Sequence, residues 1–170
     1  MILIGLGANL VSKQFGAPSD TLEAALLALE KNGVTIVARS RWYKSAPVPV
    51  SDQPWFVNGV IAVATQHSPE PLLDVLLEIE HEFGRERGVA NAARVLDLDL
   101  IDFGGKILEK SADNDGPALQ LPHPRLAERA FVLLPLAEIA PNWRHPINRR
   151  HIDDLIADLP PDQQIERIED

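Results

Sequence analysis

Between Arg94 and Ile101 the chain reads Arg-Val-Leu-Asp-Leu-Asp-Leu-Ile, and Gly104-Gly105 follows closely. Strict alternation with period two is a strand pattern, which puts Leu96, Leu98 and Leu100 on one face and Asp97 and Asp99 on the other. At a rise of about 3.3 Å per residue the two aspartate Cα atoms stand ~7 Å apart, close enough to hold one hard cation or to bridge two. The same alternation also describes a half-buried strand that shows its acids to water. Either way the chain must build a sheet with an apolar face under this strand. The residues that gather around the two aspartates decide what the other face does.

The remaining segments supply that sheet. Ile2, Leu3, Ile4 and Leu6 form a short apolar run interrupted by Gly5 and closed by Gly7 and Asn9, a buried strand entering a turn. Gly5-Leu6-Gly7 lacks the later glycine of a dinucleotide fingerprint, and no Gly-Lys-Ser/Thr follows, so neither phosphate-loop motif is met. Asp20 and Glu23 have capping-box spacing ahead of an apolar helix face of Leu22, Ala25, Leu26 and Leu29, which Gly33 ends. Residues 34–43 and 56–65 predict two further strands, joined by a loop over 45–54 that carries three prolines. Ser68-Pro69 predicts the N-cap and first residue of a second helix, whose stripe of Leu72, Val75, Leu76, Ile79 and Phe83 stops at Gly84. After the aspartate strand, 103–108 reads as a hairpin about Gly104-Gly105, 109–117 as a mobile loop, 127–140 as mostly helix and 152–159 as a short amphipathic segment. The order βαββαβ with added C-terminal helices predicts an α+β fold, ferredoxin-like, with an antiparallel sheet flanked by helices in a single domain over 1–170.

Charge and composition narrow the partners. A 170-residue chain with 45% hydrophobic content can bury a sizeable core. Its net charge of -9 opposes a broad nucleic-acid or anionic-membrane surface, leaving small molecules as substrates. The absence of cysteine excludes disulfides and thiolate metal sites. No apolar run approaches ~18 residues and the start lacks a basic n-region, so a cytoplasmic protein is expected. Within this acidic chain, Arg85, Arg87 and Arg94 gather between the second helix and the aspartate strand. Their planar forks suit phosphate, although pairing with Glu80, Glu82 or Glu86 as surface ion pairs is the plainer use. An isolated His is more often a surface residue than a ligand, but His123, held between Pro122 and Pro124, has a rigid backbone that makes it a better candidate for substrate contact. Asn58, two residues from Phe56, either pairs with nearby backbone or reads the edge of a heterocycle. His145 and His151 show no recognised metal spacing.

Several blocks occur in a fixed order: Gly5-Leu6-Gly7-Ala8-Asn9-Leu10; Asp52-Gln53-Pro54 with Phe56-Val57-Asn58; Phe83-Gly84-Arg85-Glu86-Arg87; Arg94-Val95-Leu96-Asp97-Leu98-Asp99; and Pro122-His123-Pro124-Arg125 through Arg129-Ala130-Phe131. Together they span most of the chain and resemble the 6-hydroxymethyl-7,8-dihydropterin pyrophosphokinase family of the folate pathway. The resemblance implies transfer of pyrophosphate from ATP to the pterin hydroxymethyl oxygen, with AMP released. It implies two Mg²⁺ ions on Asp97 and Asp99, with Arg85 and Arg94 acting beside them on the phosphates. It further implies ATP contacts from Glu80, Arg85, Arg87, Arg94, His123 and Arg129. The pterin would lie between Phe56 and Phe131, with Asn58 at its edge and Ser45, Ala46 and Val48 as loop contacts. The chain departs from the family pattern at Asn91-Ala92-Ala93, where an aromatic and a proline are common, and at Gly88, where a basic residue often stands. Phe56 and Pro124 stand where tyrosine occurs in relatives. Two alternatives stay open, a metal-dependent nucleotidyltransferase and a non-catalytic nucleotide- or pterin-binding module. The expected partners are the two small substrates, with the protein a monomer.

Overall fold

The structure is a computed structural model that describes residues 1–84 and 93–169. Its first strand, β1 (Ile2–Ala8), is apolar on both faces and lies inside a sheet. On one side it pairs antiparallel with β4 (Phe56–Thr65), on the other with β5 (Asp97–Phe103). β2 (Val34–Arg39) and β3 (Tyr43–Ser45) both pair with β4, and β8 (Ile165–Arg167) closes the far edge against β3. The helices α1 (Pro18–Lys31) and α2 (Pro69–Glu82) complete a βαββαβ core in the order β5-β1-β4-β2, the ferredoxin-like arrangement expected from the element order. Among the described residues no helix is long and apolar enough to cross a membrane.

Each sheet face has its own core. Ile4, Leu6, Ile61, Leu98 and Leu100 meet Leu22, Leu29, Leu72 and Leu76 of α1 and α2. On the opposite face, Leu3, Val60 and Ile101 meet α3 (Ala130–Ile139) and α4 (Ile152–Ala157) through Leu133, Leu136 and Ile152. That second core stops short. Beyond Leu3 the residues of β1 on this face are Gly5 and Gly7, which contribute no side chains, and a recess opens over them.

A bulge in β5 organises the boundary of the recess. Leu3 pairs with Asp102 and Ile4 with Leu100, so Ile101 is an extra residue and Asp102 joins it on the α3 side. Asp102, 4% exposed, accepts from Trp143 Nε1 at 2.9 Å and from the Gly105 backbone N–H at 2.9 Å.

The structure corrects several sequence expectations. The second strand ends at Arg39 rather than Tyr43, because Ser40 Oγ takes the Val60 N–H at 3.0 Å and the chain re-enters the sheet as β3. Ser45 therefore belongs to a strand, opposite Phe56, and not to the proline loop. The capping box at Asp20 and Glu23 does not form. Helix α1 starts earlier, with Ala17 as N-cap and Pro18 in the first turn, where proline's missing N–H costs no bond. Gly104 and Gly105 do turn the chain with positive φ, but no hairpin follows on β5. Instead β6 (Leu108–Lys110) pairs with β7 (Leu119–Leu121) across the segment read as a mobile loop, and the Ile101 carbonyl takes the His123 N–H at 2.8 Å. The helix expected over 127–140 is split at Arg129, whose extended backbone (φ -114°, ψ 110°) separates a 3-10 turn at Leu126–Glu128 from α3.

Asp102→Ala leaves the buried Trp143 N–H and the Gly105 turn N–H without their acceptor and is expected to lower stability by about 1–3 kcal/mol, with a smaller loss for Asp102→Asn. Urea denaturation of the three proteins checks this; equal midpoints would show that the bulge does not depend on the carboxylate.

Candidate active site

The recess is a cleft with about 1030 Å³ of open space. Its floor is made by register: Gly7 lies opposite Asp97 on one side and Asn58 on the other, and Gly5 lies opposite Asp99. A Cβ on Gly7 would come within 2.9 Å of Asn58 Oδ1, so a side chain there would displace the amide as well as fill the floor. One wall is the stretch from Ser45 to Val48 together with Phe56; the other carries His123, Leu126, Arg129, Phe131 and Val132.

At the polar end, two carboxylates and two guanidiniums interlock. Arg94 NH1 bonds Asp97 Oδ1 at 2.9 Å, and Arg129 NH1 lies 3.9 Å from Asp99 Oδ2. The aspartate side chains remain 27% and 36% exposed, open to the cleft. Arg94 is held by its backbone. Asn9 Oδ1 accepts the Arg94 N–H at 2.8 Å, while the Arg94 carbonyl accepts from the N–H groups of Asn9 at 3.0 Å and Leu10 at 3.2 Å. The same Asn9, 3% exposed, donates to Gln53 Oε1 and the Pro54 carbonyl, tying the proline loop to this corner.

His123 sits beside these charges as a neutral donor. Burial, and then the nearby Arg129 charge, push its imidazole down to about 4, against an upward pull from Asp97 and a further downward push from Arg125. Its Nδ1 accepts the Arg125 backbone N–H at 3.1 Å, so the ring proton resides on Nε2. Burial also lowers the Arg129 pKa, opposed by Asp99.

The other end of the cleft is flatter and more apolar. Asn58 Nδ2 donates to Ser45 Oγ at 2.6 Å; with both residues buried, the amide is fixed at the base of the slot between the walls. Phe56 stands on β4 opposite Ser45, and Phe131 opens α3 with the Arg129 guanidinium 5.4 Å from its ring centroid.

Ser45, Ala46, Val48, Phe56, Asn58, Arg94, Asp97, Asp99, His123, Arg129 and Phe131 all line this one cleft. Glu80 does not. It is buried on α2 and is not among the residues lining the cleft. Arg85 and Arg87, and the Asn91-Ala92 part of the variant loop, lie outside the described residues. Sequence reasoning gave no separate role to Asn9, Leu126 or Val132. Asn9 could have been singled out as a polar residue directly following an apolar strand, where a buried amide must find backbone partners.

An antiparallel α+β sheet whose cleft sets guanidinium forks against two strand carboxylates beside a flat apolar slot is chemically suited to a phosphoryl-transfer enzyme. The sequence model of the 7,8-dihydro-6-hydroxymethylpterin-pyrophosphokinase family matches residues 3–141, and the chain belongs to that family. A 2-amino-4-hydroxy-6-hydroxymethyldihydropteridine pyrophosphokinase from Pseudomonas aeruginosa is 42% identical over 160 residues, covering 94% of this chain and 91% of the relative. The Synechocystis protein of the same name is 39% identical over 158 residues, covering 92% and 75%. Among solved structures, wild-type Plasmodium falciparum HPPK-DHPS with SDX-DHP superposes with a TM-score of 0.70 at 16% identity, which establishes the shared fold. That match covers 92% of this chain and 43% of the Plasmodium chain, so the present chain spans less than half of that protein.

Because the folded His123 pKa lies below the usual 6.5, the unfolded chain binds its proton first. The stability from keeping this ring neutral is present above about pH 6.5 and is lost as the pH falls toward 4. In the metal-free protein, the His123 ring resonances are expected to titrate near 4 by NMR; a midpoint near 6.5 would contradict the buried, neutral assignment.

Proposed function

We propose that the chain transfers a pyrophosphoryl group from ATP to the hydroxymethyl oxygen of 6-hydroxymethyl-7,8-dihydropterin, giving the pterin diphosphate and AMP, a step of folate biosynthesis. The observation that carries this reading is the division of one cleft into a charged end and an aromatic-walled slot with a fixed amide. The hydroxyl oxygen attacks the β-phosphorus, the bond from that phosphorus to the α,β-bridging oxygen breaks, and the oxygen leaves on AMP. The hydroxyl proton is released as the new bond forms.

Asp97 and Asp99 fit Mg²⁺ by the chemistry of their donors. Both are hard oxygen ligands, partly exposed beside a floor to which Gly5 and Gly7 contribute no side chains. A pair of carboxylates suits an ion that takes one or two carboxylates and completes its shell with phosphate oxygens and water. We assign two such ions to the pair; when bound, they neutralise charge on the triphosphate and make the hydroxyl more acidic.

The chain's own groups supply the remaining steps. Arg94 and Arg129, which now neutralise the aspartates, present their forks to phosphate once cations replace them there. His123 donates from Nε2 without adding charge. Arg85 and Arg87 join the phosphate contacts on the strength of the family motif. Phe56 and Phe131 stack on the two faces of the pterin, Asn58 bonds its edge, and Ser45, Ala46 and Val48 border it. We further propose action as a monomer on the two small substrates in the cytoplasm, the net charge of -9 opposing nucleic-acid or anionic-membrane partners.

With ATP, Mg²⁺ and the pterin present, AMP and pterin diphosphate should form in equal amounts. Pyrophosphate release would instead indicate a nucleotidyltransferase, and no turnover a binding module. Asp97→Ala and Asp99→Ala are each expected to lower kcat at least ~100-fold, as loss of preorganised electrostatic stabilisation does elsewhere. Undiminished steady-state turnover in either variant contradicts its role.

A further inference from the structure

Arg129 occupies an awkward place in the backbone. It lies between a 3-10 turn and α3 with extended φ and ψ; its own N–H donates to the Leu126 carbonyl at 3.4 Å and its carbonyl accepts from the Val132 and Leu133 N–H groups, but neither segment takes the outer halves of the two flanking peptides. The Glu128 carbonyl and the Ala130 N–H are orphaned there, and the Arg129 side chain provides no cap for α3. Both groups are taken by one distant residue. Gln163 Oε1 accepts the Ala130 N–H at 2.9 Å, and Gln163 Nε2 donates to the Glu128 carbonyl at 2.7 Å. A single side-chain amide thus grips the backbone on both sides of Arg129, at the entry to the helix turn that carries Phe131.

The next two residues of the tail hold the opposite wall. The Gln164 carbonyl accepts the Ala46 N–H at 3.0 Å, and Ile165 pairs with Ser45 in the β3–β8 ladder. Three consecutive tail residues therefore connect the Ser45–Ala46 wall to the Arg129–Phe131 wall. The tail lies beyond the residues 3–141 matched by the family model.

We propose that Gln163 is a positioning residue for pyrophosphoryl transfer, and that the tail segment 163–165 is a strap setting the separation of the two walls. The proposal rests on the assignment of Arg129 to ATP and Phe131 to the pterin. Gln163 touches neither substrate; it acts through the main chain that aims those two side chains.

Steady-state KM values for ATP and the pterin, with melting temperatures, test the proposal in the full-length chain. Gln163→Ala should raise both KM values about threefold to tenfold, the range of one or two lost hydrogen bonds. Gln163→Glu, which keeps the acceptor for Ala130 and loses the donor to Glu128, should fall between wild type and Gln163→Ala. Glu166→Ala, exposed on the same strand, should match wild type. The decisive arm combines Gln163→Ala with Arg129→Ala: the ATP effect of the tail substitution should shrink below about 1.5-fold, because residues acting as one unit are not additive. An undiminished effect in the Arg129→Ala background, or wild-type KM values in Gln163→Ala, overturns the proposal. If Arg129→Ala alone leaves ATP KM unchanged, the assignment of the site itself fails, and the strap with it.

Discussion

The site depends on one register: two glycines of a buried strand lie opposite two aspartates of its neighbour. A sheet covered by helices on both faces would ordinarily fill this position with apolar side chains, as Leu3, Val60 and Ile101 do a few residues away. Gly5 and Gly7 remove that filling at the place where Asp97 and Asp99 project, so the carboxylates gain depth without being buried. The backbone geometry that makes the floor is set by ladder hydrogen bonds of a central strand and is stiff. A site meant to align a triphosphate gains from that stiffness, since its ligands keep their spacing whether or not the substrate is there.

The charges are arranged around this floor with the same economy. In a chain of net charge -9, the cleft concentrates cations against its two acids. Arg94 bonds Asp97 and Arg129 lies beside Asp99, which offsets the repulsion between the two like charges. His123, kept neutral by burial and by Arg129, offers a donor where a third positive charge would compete with a metal ion. Asn9 fixes Arg94 through backbone contacts and reaches to Gln53 and Pro54, so the guanidinium and the proline loop share one anchor.

How much of this was legible in the sequence follows from the range of the forces involved. The alternating run at Leu96–Leu100 carried strand, face and acid spacing in five residues, because period-two patterning is local. The sheet order followed from the order of elements. The breaks did not: Ser40 ends β2 by a bond to a strand twenty residues away, and the bulge at Ile101 is visible only when β1 and β5 are paired. Similarly, Phe103 to Leu108 had the residues of a hairpin, but the partner of β6 was β7, and local turn chemistry does not name a partner. Nearly all of the cleft was reached through motif resemblance; Glu80, named by that route alone, is buried on α2 and not among the lining residues. Gln163 left no mark in the sequence, since a glutamine in a polar tail shows nothing of the orphaned peptide groups it meets in space.

The central claim is that Asp97 and Asp99 are the metal-bearing floor of a triphosphate site adjoining a pterin slot. It is tested most directly by a crystal structure with Mg²⁺, a non-hydrolysable ATP analogue and the pterin. The account predicts Mg²⁺ between these two carboxylates and the phosphates, the Arg94–Asp97 and Arg129–Asp99 pairs opened, and the pterin stacked between Phe56 and Phe131. Nucleotide bound elsewhere with both ion pairs intact would contradict it.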